Sequence, residues 1–216
     1  MKSGIIICFL LGIIACKNQS EFERLMKLYN QPDFIQIPES LSRENRIPLY
    51  DKIIPSKNYD YWQVNYIEYL PEEHHKTIFE KGTLELEPTK LELAKIESCF
   101  YHECEPMLCC TSILAVEENN IDTINTEESF RRFIGDINNL EEALLIAKTY
   151  GYWYDYENME GGSYYQTENE YVMKLFEFWS YPHTWYSIKA IIDKKTGKLF
   201  TIDKSIYKKE NVWSSH

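Results

Sequence analysis

The chain has 216 residues, with 34 Asp or Glu against 23 Lys or Arg, a formal net charge of −11. A surplus of that size repels phosphate backbones, and no Lys/Arg run is long enough to offset it, so nucleic acid is excluded as an expected partner. Aromatic residues make up 15% of the chain, with 17 tyrosines and only 8 glycines, a composition that suits half-buried sheet surfaces and binding faces.

Met1-Lys2-Ser3 supplies one positive charge, Gly4 to Ile14 is apolar, and the chain turns polar at Lys17-Asn18-Gln19-Ser20. That is the layout of a secretory signal, and its apolar run is shorter than the roughly 20 residues a transmembrane helix needs. Ile13-Ile14-Ala15-Cys16 resembles the lipobox of bacterial lipoproteins. The resemblance implies that residues 1–15 are removed and that Cys16 becomes the acylated amino terminus, anchoring the protein to an envelope membrane. Two or more acyl chains hold stably, because each buried CH₂ contributes about 0.8 kcal/mol. Lys17 in place of an aspartate favours, by the same resemblance, the outer membrane over the inner.

Residues 16–58 read as a tether and N-terminal extension. Phe22, Leu25, Met26 and Tyr29 fall at helical spacing, and Pro32, Pro38, Pro48 and Pro55 forbid long helices. Phe34-Ile35 and Ile53-Ile54 nonetheless look like residues that want a core, so part of this stretch is expected either to lift the domain from the bilayer or to wrap along it.

Residues 59–216 read as one α+β domain. Tyr61 to Tyr69 is aromatic, β-branched and strand-like, closed by Pro71, and Thr83 to Glu87 alternates as a second strand would. Leu91–Tyr101 and Leu108–Val116 flank a polar tip as a hairpin. Asn125 with Glu128, and Asn139 with Glu142, are capping-box-like starts for helices over Glu127–Ile134 and Leu140–Tyr150, ended by Gly135 and Gly151. Strands over Glu170–Trp179, Trp185–Ile192 and Leu199–Tyr207 follow, with Asp193 to Lys198 as a turn. Helices set between strand blocks argue for an α+β fold with an antiparallel sheet.

Cys99, Cys104, Cys109 and Cys110 are an even set in a chain read as exported, which favours disulfides. A hairpin centred between Cys104 and Glu105 sets Cys99 opposite Cys110, and leaves Cys104 to close on Cys109. Free thiols, or a metal held with His102, His74 or His75, are the alternatives, although the second knuckle of a zinc site is missing. No C-x-x-C redox pair, nucleophile elbow, phosphate loop or dinucleotide fingerprint is present, and no cofactor is expected.

Two aromatic clusters stand out as binding candidates, Tyr152-Trp153-Tyr154 after the second helix and Trp179 with Trp185 further on. Helix Leu140–Ala147, strand Tyr171–Phe178 and the hairpin Ile191–Leu199 together resemble a PepSY-type module of exported bacterial proteins. That resemblance implies a role in regulating or inhibiting secreted peptidases, with no catalytic residues. The expected function is an envelope-anchored, non-enzymatic binding lipoprotein that engages an envelope or secreted protein as inhibitor, immunity factor or accessory subunit. A glycan-binding accessory protein, which needs coplanar exposed rings, and a hydrolase using His183 or His74 in a deep pocket are the alternatives.

Overall fold

The structure, a computed structural model, describes residues 23–27, 33–42, 47–69, 74–85, 98–101, 109–180 and 182–209. The fold is α+β. Its strands are β1 (Ile35–Gln36), β2 (Tyr61–Glu68), β3 (His74–Gly82), β4 (Cys109–Glu117), β5 (Asn120–Ile124), β6 (Ser163–Gln166), β7 (Glu170–Ser180), β8 (His183–Asp193) and β9 (Leu199–Lys209), and its helices α1 (Ile47–Asp51), α2 (Glu127–Ile134) and α3 (Leu140–Lys148). The described strands form two sheets in place of a single one, of order β3-β2-β4-β5 and β1-β6-β7-β8-β9, and their ladders are antiparallel.

One face of each sheet and the apolar sides of the helices meet in a single buried cluster. Trp62, Val64, Ile113 and Ala115 enter it from the first sheet, Tyr171, Met173, Leu175, Ile188, Ala190 and Ile192 from the second. Helix α2 contributes Phe130, Phe133 and Ile134, spaced i, i+3 and i+4. Its cap sits one residue later than the sequence suggests. Thr126 accepts from the Ser129 backbone and Ser129 returns the bond, displacing the Asn125/Glu128 reading, while Gly135 (φ 71°) ends the helix as expected. Helix α3 starts at Asn139 and stops at Lys148, two residues short of the expected end, with Ala143 to Ala147 all buried. The sequence suggested one apolar face; the helix is enclosed on most sides because both sheets and α1 close around it.

The stretch expected as a tether belongs in part to this core. Ile37, Leu41, Leu49, Tyr50 and Ile53 are buried, and β1 hydrogen-bonds to β6. The packed unit therefore begins upstream of residue 59, and wrapping describes residues 33–42 and 47–58. Further upstream, in the helical segment 23–27, Leu25 packs on Val172 and Ile191 and Arg24 pairs with Glu170.

Three strands depart from expectation. Thr83 to Glu85 lie outside any strand, and β3 instead runs through His74-His75, read above as a possible metal arm. Strand β3 lies at a sheet edge and half-buries only Ile78 and Phe79, so it leaves little alternation to find. Strand β5 follows a turn in which Glu118 (φ 49°) and Asn119 (φ 68°) are both left-handed, the geometry of a two-residue hairpin turn. Strand β6 is only four residues long.

Candidate functional site

Cys99 and Cys110 form a disulfide with Cα atoms 5.7 Å apart. The backbone register differs from the expected hairpin, since Phe100 pairs with Thr111, which sets Cys99 and Cys110 on a diagonal. Tyr101 follows at φ 56°, and the rest of the expected hairpin, 91–97 and 102–108, lies outside the described residues. Cys109 is also disulfide-bonded, whereas Cys104, His102 and Cys16 lie outside the described residues. Among the described residues no three His, Cys, Asp or Glu side chains gather as a metal site would require.

Tyr152, Trp153 and Tyr154 are half-buried and held in place. The Tyr154 hydroxyl donates to the Leu41 carbonyl at 2.6 Å, and Tyr152 meets the Thr201 hydroxyl at 2.9 Å. Trp153 exchanges two backbone hydrogen bonds of 2.7 Å with Phe176 on β7, and the Lys148 ammonium lies 5.0 Å from its ring centroid. The chain then makes a closed turn from Asp155 to Gly161, pinned at several points. Gln36 Nε2 donates to the carbonyls of Asp155 and Gly162 at 3.1 and 3.0 Å. Ser163 Oγ donates to the Met159 carbonyl at 2.6 Å, Ser187 Oγ donates to the Glu160 carbonyl, and the Tyr207 hydroxyl donates to Asp155 at 3.3 Å. Burial first, then the Asp155 charge, pushes the Tyr207 hydroxyl well above its ordinary range, so it remains a donor. Gly162 is required here, because a Cβ would stand 1.7 Å from the Asp155 carbonyl oxygen. The turn is tight, and Ser163, which follows Gly162, is fully buried. What the turn presents outward is acidic and aromatic: Glu157 and Glu160 are exposed and Asp155 and Tyr156 half-exposed, with Met159 44% exposed.

Trp179 and Trp185 sit elsewhere, where β7, β8 and β9 run on past the core. Register places them on opposite faces. Phe178 pairs with Trp185, while Trp179 pairs with Thr184, continuing the face of Leu175 and Ile188. Phe178 is 37%, Trp179 50% and Ile206 57% exposed. On one face the Lys204 ammonium lies 5.0 Å from the Trp179 ring and 4.4 Å from that of Tyr186. On the other, Lys208 lies 4.3 Å from Trp185. Burial works to raise the Glu177 carboxyl, but hydrogen bonds from Lys204 and Trp179 and the Lys204 charge outweigh it and leave it below its ordinary value.

Comparison with protein-family models, curated proteins and solved structures finds no match.

The two histidines named for a hydrolase lie on different sheets. His74 is exposed on an edge strand, and His183 packs its ring 5.5 Å from Phe178. A cleft of about 280 Å³ lies between Lys57, Tyr59, Asp122, Ser129 and Arg132, away from both. There the Asp122 carboxylate already accepts from Tyr59 at 3.2 Å and Lys57 at 3.3 Å. Sequence reasoning missed the turn at 155–162 as a rigid unit. Its signal was Gly161-Gly162 after an Asx-rich stretch, and the partners that fix it, Gln36, Ser187 and Tyr207, are remote in sequence.

Proposed function

We propose that this chain is a lipid-anchored, non-enzymatic binding protein of a bacterial envelope, and that its partner is an envelope or secreted protein. The observation that carries the reading is the pre-formed turn at 155–160 beside Tyr152, Trp153 and Tyr154. Half-exposed aromatic rings and carboxylates are held there by hydrogen bonds to three distant parts of the chain, residues 36–41, Ser187 and Tyr207. Rings that are already ordered lose little conformational freedom on binding, which favours them as anchors in protein interfaces. The Cys16 lipid supplies retention at the membrane. The PepSY-like pieces make a secreted peptidase the first candidate partner, with the chain acting as inhibitor or regulator.

The glycan reading has less support, because the exposed ring pairs are inclined. Trp179 and Tyr186 meet at 64° and Phe178 and Trp185 at 44°, where stacking on sugars calls for a flat platform.

Capture of the tagged lipoprotein from crosslinked cells tests the proposal. A single envelope or secreted protein is expected in near-equal amount, and replacing Tyr156, Glu157 and Met159 with serine should abolish its recovery while leaving the thermal midpoint unchanged. Recovery that is indifferent to those three replacements would show that the turn is not the binding face.

A further inference from the structure

The projecting end of the β7-β8-β9 meander is a separate surface, and the turn at 155–160 does not account for it. We infer that this end is a second membrane contact, which seats Phe178, Trp179, Trp185 and Ile206 in the headgroup layer of an anionic bilayer.

The first ground is two-sidedness. Trp179 and Ile206 emerge on one face of the three strands, Phe178 and Trp185 on the other. A flat protein surface covers one face of a sheet, whereas a lipid interface surrounds a projecting end and covers both. Tryptophan and tyrosine, with an apolar body and one polar tip, are the side chains enriched at that depth.

The second ground is charge. The chain as a whole is at −11, yet residues 176–186 and 203–209 carry Lys204, Lys208 and Lys209 against Glu177 and Asp203. With Glu210 next in the chain this end is close to neutral, so an anionic surface repels the acidic body and not this end. Lys204 is held by Glu177 at 2.5 Å beneath the Trp179 ring, and the Lys208 ammonium lies 4.3 Å from the Trp185 ring, so both charges sit among the aromatic residues of this end.

The third ground is reach, which rests on the Cys16 lipid. Arg24 is tied to Glu170 at the opposite end of β7. The nine residues from Glu170 to Trp179 span about 30 Å, and the eight from Cys16 to Arg24 extend to roughly 27 Å. With the aromatic end seated about 5–10 Å deep, Arg24 stands roughly 20–25 Å above the surface and within that reach, so anchor and aromatic end can touch one bilayer with the strands standing on it.

The test uses the lipidated protein in vesicles containing phosphatidylglycerol and brominated acyl chains. Fluorescence of Trp179 and Trp185, taken as the difference from the Trp179→Phe and Trp185→Phe variants, should be quenched by the bromines and shielded from acrylamide. Phe178→Ser with Ile206→Ser should reverse both. Lys208→Gln, which takes one positive charge from this end, should weaken the bromine quenching. Quenching by acrylamide and not by bromine in the unaltered protein would overturn the inference, and loss of the captured partner on Phe178→Ser would then make this end a protein site. Because partner recovery through the 155–160 turn is scored separately, either proposal can fail alone.

Discussion

Glu142 is fully buried, and its carboxylate holds the segment after α1 against the start of α3. It accepts from the Ile54 backbone N–H at 2.7 Å and from the Asn138 N–H at 2.6 Å. Glu142→Ala removes both acceptors at once. A buried donor left unsatisfied costs about 1–3 kcal/mol, and relief from burying a carboxylate offsets part of the pair, so the expected loss is about 3 kcal/mol. For a chain of this size that lowers the melting midpoint by roughly 6–12 °C. Glu142→Gln keeps one acceptor oxygen and should lose about half as much. Urea unfolding with an unchanged slope reads both numbers, and an alanine variant within about 0.5 kcal/mol of the parent would refute the clamp. The pH dependence has a definite sign. Burial raises the Glu142 carboxyl above its ordinary 4.5, with the Ile54 and Asn138 hydrogen bonds pulling the other way. A raised acid binds its proton more tightly in the fold than in the unfolded chain. The part of the stability that comes from proton binding is therefore full below 4.5 and lost as the pH rises through the folded value, while the ionised carboxylate keeps accepting from Ile54 and Asn138. The stability of the parent relative to Glu142→Gln should decline across that window.

Replacing Cys99 and Cys110 by serine opens a loop that spans a sequence separation of 11, and chain entropy sets the loss at about 3 kcal/mol. Non-reducing denaturant titration measures it, and maleimide labelling of either cysteine in the native oxidised protein would contradict the bond. Gly162→Ala drives a Cβ into the Asp155 carbonyl and should cost several kcal/mol; a chain that tolerates it at full stability would show the turn to be pliable. Phe130→Ala, at a fully buried ring, should cost about 3–5 kcal/mol. Trp179→Ser, at a ring 50% exposed, should stay within about 1 kcal/mol. Equal losses at these two positions would mean that the end of the meander is part of the folding core.

Elements that carry their own local chemistry were legible in the sequence. Helix α2 was placed at Glu127–Ile134 with Gly135 at its end, although its cap is Thr126 with Ser129 and not Asn125 with Glu128, and the last hairpin was placed at Asp193, whose carboxylate accepts from the Thr196 backbone at 2.8 Å. The long strands β7, β8 and β9 declared themselves by their residue types. What could not be read was anything decided by a remote partner. Strand β1 has two residues and exists because β6 is there to receive it. Strand β3 is polar because it borders solvent, so it shows no alternation to recognise. The division into two sheets is likewise a matter of which strands meet, and strand propensity is silent on that. At the candidate site the aromatic residues were visible as types, but Trp153 and Trp179 look alike in the sequence. Only the backbone exchange with Phe176 makes the first half-buried and the second exposed.

The pairing of β1 with β6 also sets a timetable. A chain emerges from the ribosome, or from a membrane channel, amino end first, and Ile35 must wait for Tyr164, roughly 130 residues later, before its strand has a neighbour. At ordinary synthesis rates the wait is on the order of ten seconds. Ile37, whose backbone bonds to Gly162, waits as long, whereas Tyr50 finds Phe79 on β3 much sooner. The first sheet and the Cys99–Cys110 bond can form early, but the earliest residues are the last to be protected. A holding chaperone, or speed of passage, is therefore a requirement that this topology places on the cell.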